Sequence, residues 1–339
     1  MGRKRNRLKD DSNRMYAGLD LHKMYTQYAV MDNDGVLVRE GRIENDPAEL
    51  ERFSDSLTDA TDIVIESSST WYGVYRILAK RHHVVLSNPG KTKAIAAAKV
   101  KTDKIDSLTL ANLLRGGYIA ESYIPPARIM ELRELVRYRA NLVRQRTQLK
   151  NRIHAYLLMN NVKIEARPFT EAFVRELVKI DDYRVQGYLR LIGSVNAEVK
   201  EASKLIMEKA SNDEDAKLLM TIPGISFYSA LLISSEIGEI DRFADSSSLV
   251  AHAGLAPSTH SSGGKTYHGA ITKQGSPYLR WILNQCVRMH MRMEPDGTVG
   301  LFYARLARKK GGSKAIVAAS AKLLKIVFWV LKERRPYQS

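Results

Sequence analysis

Residues 15–125 read as an α/β domain built on a mixed sheet, residues 126–215 as long coiled-coil helices, and residues 216–339 as a mainly α-helical domain. Three observations predict this order. Short β-prone runs alternate first with turns and then with helical stretches, leucines recur at sevens across a long Arg-rich segment, and a Pro-Gly turn opens a final run of helical sequence. At 339 residues the chain exceeds the length at which a single core usually stops growing, so more than one structural unit is expected.

The opening stretch, residues 1–14, is basic with no apolar run behind it. It reads as a disordered basic arm and not as a signal peptide. From Met15 the β-prone runs are Tyr16-Ala17-Gly18-Leu19-Asp20, residues 26–31 and residues 36–43, and the cluster Asp32-Asn33-Asp34-Gly35 between the last two is a hairpin signal. A helix is expected over 47–57, strands over 62–66 and 83–86, and a helix over 71–81 between them. Hairpin strands followed by alternating helices and strands build a mixed sheet in one layered domain. Beyond Lys101 the pattern turns helical as far as Gly116-Gly117, and Pro125-Pro126 marks a boundary.

From Met130 a long helix is expected, because Leu135, Leu142 and Leu149 recur at sevens with Leu132 and Ile153 near the same stripe. Its other faces carry Arg133, Arg137, Arg139, Arg144, Arg146, Lys150 and Arg152. This is either a solvated face or a nucleic-acid contact, with Arg137 and Arg144 as the candidate phosphate ligands. Residues 188–209 can return antiparallel to it, and Ser211-Asn212-Asp213-Glu214-Asp215 reads as a linker. Ile222-Pro223-Gly224-Ile225-Ser226 has the form of a helix-hairpin-helix turn, whose backbone N–H groups around Gly224 can hold a phosphate without reading bases; an ordinary helix-connecting turn is the alternative. The apolar helix expected over 314–332 packs the core of the last domain.

Composition narrows the partner. The 53 Lys and Arg against 37 Asp and Glu give a formal charge of +16, which favours a polyanion, nucleic acid first. The single cysteine, Cys286, excludes an intrachain disulfide and a Cys-based zinc site and fits a reducing cytoplasm. No run approaches the roughly 18 apolar residues of a membrane span.

Asp20 ends the first strand and Glu66 a later one, both where a sheet edge meets its loops. Asp103 and Asp106 are spaced i, i+3, which puts both on one face of a helix. If that helix packs beside the strand ends, four carboxylates converge. Like charges raise one another's pKa, and a divalent metal relieves the crowding. Mg²⁺, with Mn²⁺ as the alternative, takes hard oxygen ligands and supports phosphoryl transfer. Taken singly, Asp103 reads as a helix N-cap, Asp106 as a solvated first-turn acid and Glu66 as a satisfied strand-end carboxylate.

Gly18-Leu19-Asp20, Glu66-Ser67-Ser68-Ser69-Thr70-Trp71-Tyr72 and Lys101-Thr102-Asp103-Lys104-Ile105-Asp106 together resemble the RuvC-like, RNase H-fold domain of insertion sequence 110 transposases. The resemblance implies that the family's Asp, Glu, Asp, Asp tetrad falls on Asp20, Glu66, Asp103 and Asp106.

A second informative segment runs Ala253-Gly254-Leu255-Ala256-Pro257-Ser258-Thr259-His260-Ser261-Ser262-Gly263-Gly264-Lys265 and continues through Lys273-Gln274-Gly275 to Tyr278-Leu279-Arg280. Small residues after a serine let backbone approach a phosphate, and Lys265, Lys273 and Arg280 can neutralise it. Serine needs a base or metal to become a nucleophile, so the loop is by itself equally a phosphate-binding or surface loop. Tyr267 and Tyr278 are rival nucleophiles by chemistry.

This segment is similar to the family's C-terminal transposase domain, in which the serine directly before the glycine becomes covalently linked to DNA. That maps to Ser262, with Ser261 beside it as the competing assignment. The resemblance spans residues 15–336. It further implies homodimers or tetramers through the coiled coil, and a noncoding guide RNA from the element's own ends. The function so implied is a DNA transposase or recombinase with a phosphoserine–DNA intermediate. A junction-resolvase-like nuclease using water is the alternative, and a packaging protein without catalysis is the third.

Overall fold

The computed structural model describes residues 14–95, 103–262 and 265–338. The arm expected over 1–14 therefore lies, apart from Arg14, outside the described residues. The chain divides into two compact units between Ile124 and Pro125.

The first unit carries β1 (Met15–Leu21), β2 (Tyr25–Met31), β3 (Leu37–Glu44), α1 (Pro47–Asp55), β4 (Thr61–Glu66), α2 (Trp71–Leu78), β5 (His83–Ser87), α3 (Pro89–Ile95), α4 (Asp103–Arg115) and the short β6 (Glu121–Ser122). They form one mixed sheet in the order β3-β2-β1-β4-β5-β6. β2 runs antiparallel to β1 and to β3, β4 runs parallel to β1 and to β5, and β6 closes the edge antiparallel to β5.

Alternation along β1 assigns its two faces. Ala17, Leu19 and Leu21 join Ile63 and Ile65 of β4 in a core with Leu50 and Phe53 of α1 and Val74 and Leu78 of α2. The intervening Gly18 faces α4. A Cβ on Gly18 would lie 2.1 Å from the Ser107 carbonyl oxygen and 2.4 Å from the Ala111 nitrogen, so only glycine lets the helix backbone rest on the strand. The expected hairpin turn forms because Asp32 Oδ1 accepts from the backbone N–H of Asp34 at 3.0 Å and of Val36 at 2.8 Å. α1 starts where Asp46 Oδ1 accepts from Ala48 N at 2.9 Å, with Pro47 in its first turn. α2 stops at Leu78, shorter than the helix expected to 81.

The second unit comprises α5 (Ala127–Met159), α6 (Glu171–Val178), α7 (Tyr183–Ser211), α8 (Glu214–Met220), α9 (Phe227–Ile237), a 3-10 turn at Ile240–Arg242, α10 (Ser246–His252), the hairpin β7 (Pro257–Ser262) and β8 (Lys265–Ile271), α11 (Pro277–Met293), α12 (Thr298–Lys310) and α13 (Gly312–Glu333). α5 and α7 lie antiparallel: Arg139 Nε donates to Ser203 Oγ at 2.7 Å, and Arg146 Nη1, further along α5, donates to Asn196 Oδ1, earlier in α7, at 3.0 Å. Of the leucines spaced at sevens, Leu142 is buried and Leu135 and Leu149 are partly so. The helix that lies along α5 here is α7 of the same chain.

α9 is the centre of the larger core, buried at every position from 228 to 237. Its neighbours are α5, α7, α8 and α11, and α13 contributes Leu323, Leu324, Val327 and Phe328 to the same core as the apolar tail was expected to do. The Ile222-Pro223-Gly224 turn connects α8 to α9 and packs onto α11. Gly224 has φ +88°, a Cβ there would fall 2.5 Å from His290 N, and His290 Nδ1 donates to the Pro223 carbonyl at 2.7 Å.

Candidate active site

Sheet register brings the first two carboxylates together. Leu19 of β1 pairs with Ile65 of β4 in a parallel ladder, so Asp20 and Glu66, one residue further on, stand side by side at the same end of neighbouring strands. Gly18 and Asp20 share the face that α4 covers. The close rest of α4 on Gly18 therefore brings the first turn of that helix, with Asp103 and Asp106 in it, to the strand ends.

Electrostatics record the crowding. Asp20 is 8% exposed. Burial raises its pKa above the ordinary carboxylate range, His22 pulls it down, and the charges of Asp103 and Asp106 push it up further. The Tyr25 hydroxyl donates to Asp103 Oδ2 at 3.0 Å, and this bond to a carboxylate, with burial behind it, raises the tyrosine's pKa. Glu66 and Asp106 are half-buried at the rim.

The donor set fits a divalent cation. Asp20, His22 and Asp103 each offer one ligand atom within 4.8 Å of the others, and the remaining two acids stand on the adjoining strand end and the same helical turn. The motif reading gives His22 no role. The signal for it was there: two residues beyond Asp20 on an extended chain, a side chain projects to the same side of the sheet.

In the second unit Ser262 is the last residue of β7, opposite Lys265 across the hairpin, and Ser261 pairs with Thr266. Gly263 and Gly264 lie outside the described residues. The rival Tyr267 sits on β8 and is exposed, whereas the Tyr278 hydroxyl is engaged, donating to Asn141 Oδ1 at 3.0 Å. Arg280 braces the base of the hairpin through Nη1, which donates to the carbonyls of Ala253 at 3.0 Å and Gly275 at 2.9 Å. Gly275 permits that closure, since a Cβ there would lie 2.1 Å from the His252 carbonyl oxygen. Lys273 is exposed beside it with φ +56°.

The other candidate phosphate ligands divide. Arg137 donates to both carboxylate oxygens of the buried Glu236, at 2.7 and 2.9 Å, and its guanidinium lies 5.1 Å from the Tyr278 ring centroid. Arg144 is exposed, with no ion pair or hydrogen bond among the described residues, and borders a groove of about 410 Å³ with Tyr278 and Trp281. At Gly224 the packing against α11 fills the side that a Cβ would occupy.

Comparison with known proteins joins the two segments. Residues 17–160 match a family model for DEDD transposases of the IS110 type, and residues 216–299 match the model described as transposase of the IS116/IS110/IS902 family. The putative transposase y4qE of Sinorhizobium fredii is 24% identical over 81% of this chain and 72% of its own length. The transposase for insertion sequence element IS1328 of Yersinia enterocolitica is 30% identical over 58% of this chain and 61% of its own. That for IS1111A of Coxiella burnetii is 27% identical over 61% and 60%. The two models fall in the expected order, one from the carboxylates through α5 and the other across the serine hairpin, and the chain belongs to the insertion sequence 110 family of transposases.

Proposed function

We propose that this protein cuts and rejoins DNA strands at the ends of an insertion element, with Asp20, Glu66, Asp103 and Asp106 as the metal-binding tetrad and Ser262 as the nucleophile. The observation that carries the reading is the convergence of strand ends and helix start on one buried carboxylate, Asp20. A divalent ion held there, Mg²⁺ or Mn²⁺, neutralises the carboxylates and supplies the Lewis acidity that phosphoryl transfer needs. In the transfer, the Ser262 hydroxyl oxygen forms a bond to phosphorus, the phosphodiester bond to the departing strand breaks, and that strand leaves as an alcohol with the serine proton. The phosphoserine link keeps a phosphodiester's bond energy, so reversal with a different strand's hydroxyl completes exchange without an external energy source.

In the same reading, residues 15–125 form an RNase H-like, RuvC-like catalytic domain, 126–215 a coiled-coil oligomerisation region and 216–339 the serine domain. The chain works in the cytoplasm at the nucleoid as a dimer or tetramer, and a noncoding RNA specifies the DNA. The charge of +16 supports two polyanionic partners. Arg144 and Lys273 suit backbone contacts by their exposure.

The test incubates protein, Mg²⁺, donor DNA bearing the element's ends and RNA transcribed from those ends, then denatures the mixture. A DNA adduct that survives denaturation, maps to Ser262 and vanishes in Ser262→Ala is expected. Metal-dependent cleavage that persists undiminished in Ser262→Ala, with no adduct, replaces this reading with that of a water-using nuclease.

A further inference from the structure

His22 is outside the acidic tetrad, yet its ring nitrogen touches two of the four members. Nε2 is 3.1 Å from Asp20 Oδ2 and 3.1 Å from Asp103 Oδ2. The same nitrogen is buried and makes no hydrogen bond of acceptable geometry, so the two short approaches are not the work of a well-aimed N–H. A buried polar atom in that state is costly unless something else satisfies it.

The ring does not wander into this position. It stacks on Tyr25 with centroids 4.6 Å apart and planes 30° from parallel, and the Tyr25 hydroxyl reaches on to Asp103. The main chain is pinned as well: His22 N donates to the Tyr25 carbonyl at 2.9 Å, and Asn45 Nδ2 donates to the His22 carbonyl at 2.7 Å. A neighbouring strand turn thus holds the imidazole against the carboxylates before any ion arrives.

Spacing gives the reason. Ligands about 2.1 Å from a divalent ion and at right angles to each other stand about 3.0 Å apart. Both His22–carboxylate distances match that value. We propose that His22 Nε2 is a ligand of the metal that Asp20 and Asp103 hold, making it a mixed nitrogen–oxygen site that prefers Mn²⁺ to Mg²⁺. Imidazole suits first-row transition ions, whereas Mg²⁺ takes hard oxygen donors, so one nitrogen in the set tilts selectivity. The inference rests on the tetrad reading of the proposed function. Its rival is a His22 that only packs between the two carboxylates and takes no part in metal binding.

The experiment uses the full chain loaded with Mn²⁺ alone. Electron spin-echo spectroscopy is expected to show a directly coordinated ¹⁴N, replaced by a ¹⁵N pattern in protein carrying ¹⁵N-histidine. The coupling disappears in His22→Asn, which offers an oxygen. Calorimetry is expected to show about a tenfold or greater loss of Mn²⁺ affinity in His22→Asn with Mg²⁺ affinity within about twofold, a magnitude in the range that ligand-shell changes produce. Bound Mn²⁺ without nitrogen coupling, its affinity abolished by Asp20→Asn and untouched by His22→Asn, overturns the His22 assignment and leaves the acidic site standing. Mn²⁺ affinity that survives Asp20→Asn unchanged overturns both. The isotope arm needs no substitution, so a misfolded variant does not blunt the test.

Discussion

Gly18 of β1 lies directly beneath Ala111 of α4, with 2.4 Å between the place a Cβ would take and the Ala111 nitrogen. Backbone cannot yield to a methyl group the way a flexible side chain can, so Gly18→Ala must lift the helix off the strand. The same helix carries Asp103 and Asp106 in its first turn. Gly18→Ala is therefore expected to cost about 1–3 kcal/mol of stability, the usual range for overpacking, and to weaken metal affinity although it removes no ligand. Thermal unfolding and calorimetric titration of Mn²⁺ measure the two effects. A variant with wild-type metal affinity contradicts the positioning role of the Gly18 contact.

Asp20 gives a prediction with a sign that reverses on metal binding. Its pKa is raised in the folded protein, chiefly by burial, so its contribution to stability is fully present below the unfolded carboxylate value and is lost as pH rises through the folded value. At neutral pH, without metal, the ionised carboxylate is a burden on the fold. Asp20→Asn is accordingly expected to raise the melting temperature of the metal-free protein at pH 7, to lose that advantage near pH 3, and to abolish the further rise that Mg²⁺ or Mn²⁺ gives the wild type. Melting curves at pH 3, 5 and 7 with and without metal decide it.

Arg137 and Arg144 are two helical turns apart on α5 and separate cleanly in their surroundings. Arg137 forms a two-pronged pair with Glu236, whose side chain is 2% exposed, whereas Arg144 borders an open groove. Removing one partner of a buried pair strands the other charge, so Arg137→Ala is expected to destabilise by about 3 kcal/mol. Arg144→Ala is expected to change stability by less than about 0.5 kcal/mol, while lowering DNA affinity and reducing the salt dependence of binding by about one phosphate contact. Denaturant unfolding and binding titrations at several salt concentrations measure both. Equal effects of the two substitutions on the salt slope contradict the division.

These cases show what the sequence makes legible. Period-two runs such as Tyr16 to Asp20 and the Asp32–Gly35 turn announce the hairpin, because the pattern is local and so is its cause. The sheet's parallel part needs β4 placed beside β1, 46 residues away by the Leu19–Ile65 register, and only motif likeness links Asp20 with Glu66 in advance. Arg137 and Arg144 look alike in the sequence, since what separates them is a buried glutamate 99 residues from Arg137. His22 escapes for a different reason: its spacing from Asp20 gives only the side of the sheet, and what gives it meaning is an unsatisfied atom and two distances that the fold creates.

Arg280 brings the same distinction to the serine hairpin. Sequence proximity to Ser262 suggests a phosphate ligand, yet its Nη1 bridges the Ala253 and Gly275 carbonyls at the two ends of the hairpin's base. A brace and a ligand fail differently. As a brace, Arg280→Ala frees two carbonyls that had charge-assisted bonds and is expected to cost about 1–3 kcal/mol, with faster hydrogen exchange confined to the β7–β8 amides and the segment around Gly275. The salt dependence of DNA binding then stays as in wild type, and adduct formation falls because the hairpin that carries Ser262 loses its fixed register. As a phosphate ligand, the same substitution would lower the salt slope by about one contact and leave exchange in the hairpin unchanged. Exchange measured by mass spectrometry beside binding at graded salt therefore assigns the residue to one task, and the two carbonyl bonds favour the brace.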